Sequence, residues 1–235
     1  MMDEELHARL ADIRGRLERA SLERWGRVPQ IIAVSKTVPA ERVNAVLGEG
    51  IVRLGENRVQ ELMEKKPHLD ASFQIDLIGR LQNNKVKGII NQVHMIQSLD
   101  RESLAQEIDR RAQQHGLRMP VLIQVNIGRE PQKGGVDPDD LFAFARYAAA
   151  LPGLDVRGLM AVMPDLRDEA LLRPYFVRMR CLFDALRQEA ICGVAMEELS
   201  MGMSGDYELA AAEGATVVRI GSAIFGRRET PARAE

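Results

Sequence analysis

The sequence predicts an α/β protein made of one domain, a (β/α)8 TIM barrel with an extra helix at its amino terminus. Short apolar runs alternate with amphipathic segments eight times along the chain. The eight units have similar lengths, and no linker or low-complexity segment separates them. The 235 residues suffice for one barrel of this kind, so the predicted domain is residues 1–235. An open doubly wound sheet is the alternative arrangement of the same units.

Residues 3–25 predict an amphipathic helix that precedes the first strand. Leu6, Leu10, Ile13 and Leu17 recur at helical spacing and would share one face, while Arg and Glu occupy the others. We expect this helix to pack against the outside or one end of the barrel, and we assign it no chemistry.

The eight predicted strands are short apolar runs that end at glycine, proline or polar residues. Several are rich in Ile and Val, which is typical of strands buried on both faces of a parallel sheet. The strands are predicted at residues 31–35, 51–54, 75–78, 93–97, 121–126, 156–162, 198–201 and 216–220.

A helical segment is predicted after each strand. Ser98 or Asp100 is expected to cap the fourth of these helices, with Leu104 and Ile108 on its inner face. The segments are predicted to begin near residues 40, 57, 82, 100, 137, 168, 206 and 221.

Composition excludes several classes of function. A net charge of −2 and an aromatic content of 4% argue against nucleic acid and anionic membranes as partners. Cys181 and Cys192 form neither a metal-ligand spacing nor a disulfide framework, which favours the reducing cytoplasm. The first residues lack the pattern of a signal peptide, and no apolar run is long enough to span a bilayer.

Lys36 is the first candidate functional residue, because it stands at the end of the buried run 31–34. Desolvation at such a place favours the neutral amine, and a neutral amine can form an imine with an aldehyde. The alternative is that Lys36 extends its ammonium group into water beyond the strand end.

Other polar residues also fall at predicted strand ends. The carboxyl ends of barrel strands form the functional face, so these side chains are expected to meet there. Besides Lys36, they are Asn57, Asn126, Ser204, Arg219 and Ser222, the last preceded by Gly221.

The seventh and eighth loops, 201–205 and 220–222, predict a phosphate site. Each provides glycine, a hydroxyl group and backbone N–H groups at a helix start, where barrels commonly bind phosphate. Each glycine alone could equally be a turn residue.

A lysine next to a phosphate site is the arrangement expected for pyridoxal 5'-phosphate (PLP) held as an imine. Arg219 would then face the ring, and its positive charge would disfavour protonation of the pyridine nitrogen. Carbanion chemistry would therefore be restrained. The alternative for Arg219 is a charge inside the barrel that pairs with a carboxylate.

Seven stretches of the sequence resemble the YggS/PROSC family of pyridoxal phosphate homeostasis proteins. They extend in order over nearly the whole chain after the first helix. The stretches are 33–37, 55–57, 78–85, 125–126, 158–160, 199–204 and 218–226.

The resemblance implies the fold of the amino-terminal domain of alanine racemase, with PLP bound to Lys36 as a Schiff base. It also implies that Arg219 lies at the pyridine nitrogen and that Asn57 lies near the ring. Ser204, Gly221 and Ser222 would hold the phosphate. The sequence departs from the family at Asp76, where members usually have His before a Phe-Ile-Gly stretch. Any role of that histidine is therefore in doubt here.

Two functions follow from these features. The resemblance favours a carrier that takes part in intracellular PLP homeostasis and supplies apo PLP-dependent enzymes, without established catalytic turnover. The alternative is a racemase-like enzyme, which needs a base on each face of the substrate. Tyr147, Tyr175 and Tyr207 lie in predicted helices, so none is an evident second base. The expected absence of the racemase second domain also predicts a monomer.

Lys133 lies in the polar, glycine-rich loop after the fifth strand, on the predicted functional face. One hypothesis is that it accepts the aldehyde transiently while the cofactor is transferred. The other interpretation is a solvated loop lysine.

Overall fold

Eight parallel strands close into a barrel in which β8 pairs with β1. The computed structural model gives the backbone of residues 2–226 and the side chains of residues 4–226. Met1 and residues 227–235 of the predicted domain lie outside the described residues. The closed barrel confirms the predicted (β/α)8 fold with its additional first helix, and it excludes the open doubly wound sheet.

The strands follow one another around the barrel in chain order. They are β1 Gln30–Val34, β2 Arg53–Glu56, β3 Gln74–Leu77, β4 Met95–Leu99, β5 Met119–Gln124, β6 Leu154–Met160, β7 Val194–Ser200 and β8 Val217–Ile220. The helices are α1 Met2–Trp25, α2 Ala40–Gly48, α3 Val59–Lys65, α4 Glu102–Gln114, α5 Leu141–Ala149, α6 Glu169–Gln188, α7 Tyr207–Ala212 and α8 Ser222–Phe225. Short 3-10 helices cover Lys66–His68 and Asn83–Gly88.

The period-two alternation of β1 separates two layers of the core. Ile31 and Ala33 belong to the large apolar cluster between strands and helices. Ile32 and Val34 instead lie against Gly55 of the neighbouring strand, where a Cβ atom would be 3.0 and 3.5 Å from their side chains.

Helix α1 packs on the barrel through the predicted face, and it contacts α7 and α8. Leu10 and Leu17 are fully buried. The indole N–H of Trp25 donates a hydrogen bond to the Ala212 carbonyl at 2.9 Å. Gly214 has a φ of +88°, and a Cβ there would lie 2.8 Å from the Trp25 ring. The end of α1 is therefore seated directly on the turn after α7.

Several predicted boundaries are wrong, and a polar contact explains one of them. β2 begins at Arg53 instead of residue 51. α5 begins at Leu141 instead of near residue 137, because the Asp137 carboxylate accepts a hydrogen bond from the Asp139 N–H at 2.9 Å and stabilises a turn. β7 is also longer than predicted, since it begins at Val194.

The predicted cap of the fourth helix is also wrong. Ser98 is a buried residue of β4, and α4 begins at Glu102 after Arg101. The Asp100 carboxylate pairs with Arg101 at 2.5 Å instead of capping the helix. Leu104 and Ile108 are fully buried, as predicted.

Replacement of Leu17 by alanine should test how much α1 contributes to stability. The buried side chain would leave a cavity, so we expect a loss of about 2–5 kcal/mol in the free energy of unfolding. Urea denaturation measures this loss. Leu22→Ala is the matched control, because Leu22 is 44% exposed. Equal effects of the two substitutions would contradict the packing of α1.

Candidate cofactor-binding site

A cavity of about 320 Å³ opens at the carboxyl ends of the strands. Its volume is in the range of small-molecule sites, about 300–1,000 Å³. All six residues predicted for the site line it, although they come from four strand ends. They are Lys36, Asn57, Ser204, Arg219, Gly221 and Ser222, and the rest of the lining is Val34, Ile78, Val162, Met203 and Gly205.

Lys36 is half-buried and stands at the start of a tight turn after β1. The Val38 N–H donates to the Ser35 carbonyl at 3.0 Å. Thr37 has a φ of 62°, in the left-handed region that β-branched residues rarely adopt. The turn therefore holds the lysine at the cavity with little freedom of its backbone.

A buried ion pair behind this turn clamps the strand end. The Ser35 hydroxyl donates to the Glu56 carboxylate at 2.6 Å. Lys65 of α3 donates to the same carboxylate at 2.8 Å and to the Ser35 carbonyl at 2.7 Å. Glu56 is fully buried and the Lys65 side chain is 10% exposed. These contacts join β1, β2 and α3 next to Lys36.

Arg219 points into the barrel below the cavity and is almost fully buried. Its guanidinium donates to the Ser200 hydroxyl and to the Ala161 carbonyl, both at 2.7 Å. Burial lowers the pKa of Arg219 to about 10, against the opposing charge of Asp206. Arg219 therefore remains a cation at neutral pH. Its hydrogen-bond acceptors are a hydroxyl and a carbonyl, while the carboxylate of Asp206 acts on it through its charge.

Ser204 joins the two loops that were predicted to hold phosphate. Its hydroxyl accepts hydrogen bonds from the Gly221 N–H at 3.1 Å and from the Ala223 N–H at 3.3 Å. A Cβ atom at Gly221 would lie 3.2 Å from the Val34 carbonyl oxygen, so the loop after β8 runs close to β1. The two loops and the end of β1 thus form one continuous wall.

The loop after β3 supports Asn57 from the other side. A Cβ atom at Gly79 would lie 2.1 Å from the Asn57 carbonyl oxygen, a separation that no side chain permits. Glycine at this position therefore lets the two loops pack backbone against backbone.

Two polar loop residues singled out in the sequence do not line this cavity. Asn126 closes its own loop, because its side chain bonds the backbone of Glu130 at 3.0 and 3.1 Å. The Lys133 ammonium donates to the Met163 carbonyl at 3.0 Å and pairs with Glu130.

Within residues 2–226, no group of three or more His, Cys, Asp or Glu side chains is placed to hold a metal ion. Every helix in that part of the chain is too short or too polar to cross a lipid bilayer. Cys181 and Cys192 are exposed free thiols.

Sequence reasoning missed the polar residues that support the site from inside the barrel and behind it. Glu56 and Lys65 lie nine residues apart, but they meet only because α3 folds back on β2. Asp76, Gln97 and Ser200 are buried in the barrel interior. The available signals were Arg53 and Asp76, each a charged residue within an apolar run.

The barrel and its cavity define a protein of the alanine racemase amino-terminal domain class. The sequence profile of that family, described as "Alanine racemase, N-terminal domain", matches residues 9–229. Alanine racemase of Clostridium difficile 630 shares the fold, with a TM-score of 0.72 at 16% identity. The match covers 97% of this chain and 58% of the racemase.

Within this class, the chain belongs to the family of pyridoxal phosphate homeostasis proteins. It is 44% identical over 225 residues to the member from Aquifex aeolicus, covering 94% of this chain and 97% of the relative. It is 36% identical over 224 residues to the member from Pseudomonas aeruginosa, with 94% of both chains covered. The structure of PipY of Synechococcus elongatus with PLP bound matches at a TM-score of 0.82 and 35% identity, covering 94% of this chain and all of PipY.

Substitution of Lys65 by methionine should show how far the clamp behind Lys36 stabilises the barrel. Glu56 would be left buried without its cation, so we expect a loss of about 3–5 kcal/mol in the free energy of unfolding. The exposed Lys87→Met serves as the control, with an expected change below about 0.5 kcal/mol. A small and equal effect of both substitutions in urea denaturation would argue against the clamp.

Proposed function

We propose that this protein binds pyridoxal 5'-phosphate in the cavity at the carboxyl ends of the strands and takes part in intracellular PLP homeostasis and supply. The observation that carries the proposal is the meeting of Lys36, Arg219 and the Ser204–Gly221 loops around one cavity of suitable size. The names of the curated relatives and the PLP-bound structure of PipY support it.

Each lining residue has a role that suits its chemistry. We assign the amine of Lys36 to a Schiff base with the cofactor aldehyde. Ser204, Gly221 and Ser222 would hold the phosphate through hydroxyl and backbone N–H groups. Arg219 would lie at the pyridine nitrogen, and Asn57 near the ring.

The cation at Arg219 favours holding the cofactor over using it. PLP supplies an electron sink that is strongest when its pyridine nitrogen is protonated. A buried guanidinium next to that nitrogen disfavours the proton. The geometry therefore suits a carrier, whose recipients we take to be apo PLP-dependent enzymes. We further propose that it acts as a monomer in the cytoplasm.

A racemase-like activity is the second candidate, because the fold is shared with alanine racemase. A racemase needs a second base opposite the lysine. The Tyr147 hydroxyl accepts a hydrogen bond from Gln106 at 2.8 Å, and Tyr207 is buried in α7. Neither of these residues nor Tyr175 lines the cavity. The relatives are also named as homeostasis proteins, and not as enzymes.

Reduction with borohydride after addition of PLP should place the cofactor on Lys36. We expect a visible absorbance band and one modified peptide, both absent from Lys36→Ala, since only this lysine lines the cavity. Lys133→Ala is the matched control and should keep both signals. Mass mapping of the adduct to another lysine would refute the assignment.

The rate at which amino acids exchange their α-protons distinguishes a carrier function from a racemase function. We expect that purified protein loaded with PLP exchanges the α-protons of alanine and other amino acids in D₂O no faster than Lys36→Ala. NMR of the amino acids measures the rate. Catalytic exchange above this background would favour the enzyme.

The hypothesis that Lys133 accepts the aldehyde during transfer is tested with the Lys133→Ala variant. Its ammonium group is held by Glu130 and by the Met163 carbonyl. We therefore expect Lys133→Ala to deliver PLP to an apo-enzyme at the wild-type rate, and a slower delivery would support transient acceptance of the aldehyde.

A further inference from the structure

A line of buried polar side chains runs down the inside of the barrel from Arg219. Asp76, Gln97 and Ser200 have no exposed surface, and Arg53 and Arg219 are each 3% exposed. These residues come from β2, β3, β4, β7 and β8. Burial of so many polar groups is unfavourable unless each is hydrogen-bonded, so their contacts show what keeps them there.

The side chains form one unbroken series of hydrogen bonds. The Arg219 guanidinium donates to the Ser200 hydroxyl at 2.7 Å. That hydroxyl donates to Gln97 Oε1 at 2.7 Å. The Gln97 amide N–H then donates to Asp76 Oδ2, again at 2.7 Å.

The direction of the series is determined by its last member. Asp76 pairs with Arg53 at 2.5 Å, and as a carboxylate it can only accept hydrogen bonds. Gln97 must therefore turn its NH₂ group towards Asp76 and its oxygen towards Ser200. Ser200 gives its single proton to that oxygen, which leaves a lone pair for Arg219. Every donor points from the cavity towards the carboxylate.

Further polar groups surround the carboxylate at the other end of the series. Arg53 also donates to Glu198 at 3.0 and 3.1 Å and to Gln30 at 2.9 Å. His94 lies 3.1 Å from the second oxygen of Asp76, and its side chain is 38% exposed. Both oxygens of Asp76 are thus held in place. The fixed carboxylate in turn fixes the orientation of Gln97 and, through it, of Ser200.

We propose that Ser200, Gln97 and Asp76 are positioning residues for Arg219. They hold its guanidinium at the floor of the cavity, and so they determine how tightly PLP binds and at which wavelength the bound cofactor absorbs. This inference rests on the proposed function. It goes beyond it in assigning a role to three residues that do not line the cavity.

The Ala161 carbonyl is the other acceptor of Arg219, and it lies at the end of β6, outside the series. With Ser200 removed, the guanidinium would keep only this bond and could rotate about it. A rotation at the cavity floor would move the charge relative to the ring, although the fold would remain intact.

Ser200→Ala is the test, because it removes one hydroxyl and strands no charge. We expect PLP affinity to fall about tenfold, the lower end of the range for losing a hydrogen bond to a charged group. The absorbance maximum of bound PLP should also shift, while the adduct still maps to Lys36.

Ser98→Ala is the matched control. Ser98 is equally buried in β4, but its hydroxyl makes no hydrogen bond among the described residues. This variant should change affinity less than about twofold.

A double-variant comparison tests whether the residues act in series. If they do, Ser200→Ala combined with Gln97→Leu should weaken PLP binding no more than Ser200→Ala alone, because Ser200 is the link between Gln97 and Arg219. Independent, additive losses would contradict the series. So would a Ser200→Ala protein with wild-type affinity and spectrum.

A measurement without cofactor keeps this inference separate from the proposed function. The guanidinium NMR resonances of Arg219, assigned with Arg219→Lys, should change in ligand-free Ser200→Ala and stay unchanged in Ser98→Ala. If the wild-type protein fails to bind PLP, the proposed function is wrong, and these resonances still decide whether Ser200 positions Arg219. Unchanged resonances in Ser200→Ala would overturn the inference.

Discussion

Closure of the barrel between β8 and β1 is the constraint on which the site depends. In that pairing Ile32 lies opposite Arg219, and both side chains point inward. Lys36 follows the end of β1 by two residues and lines the same cavity as Arg219. One register between two strands, at the seam where the first and last units meet, therefore brings the amine and the guanidinium to one cavity.

The interior of the barrel combines a polar series with a small apolar cluster of Met95, Leu122 and Met160. Side chains usually fill such barrels in apolar layers. Here a guanidinium stands at the cavity floor, and the groups beneath it provide its acceptors. Hydrogen bonds in a low-dielectric interior are strong, so the bonded series from Arg219 to Asp76 is stiff as well as polar. The buried Arg53 Nε beneath it makes no hydrogen bond among the described residues.

The Glu56–Lys65 ion pair behind the strands and the hydrogen-bond series inside the barrel support different parts of the site. Glu56 and Lys65 support the turn that carries Lys36, from the helix side of the sheet. Ser200 supports Arg219, from the axis of the barrel. A carrier must hold its cofactor firmly and keep it unreactive. The contacts behind Lys36 would serve the first requirement, and the contact beneath Arg219 would serve the second. Under the proposed function, the lysine would hold the aldehyde and the buried cation would restrain the ring.

The sequence by itself determined the eight units, the amphipathic first helix and six of the eleven residues that line the cavity. These features depend on local patterns, namely strand periodicity, glycine-containing loops and polar residues at strand ends. The resemblance to the pyridoxal phosphate homeostasis family, which extends over most of the chain, then assigned the polar residues to one site. Only the tertiary structure decided the partners of Arg53 and Arg219. The Arg53 guanidinium can be buried in the barrel because Asp76 and Glu198 accept its hydrogen bonds. The Ser200–Gln97 bond joins residues 103 positions apart. Such contacts exist only once the barrel has closed, because closure alone sets which inward side chains face each other across the axis.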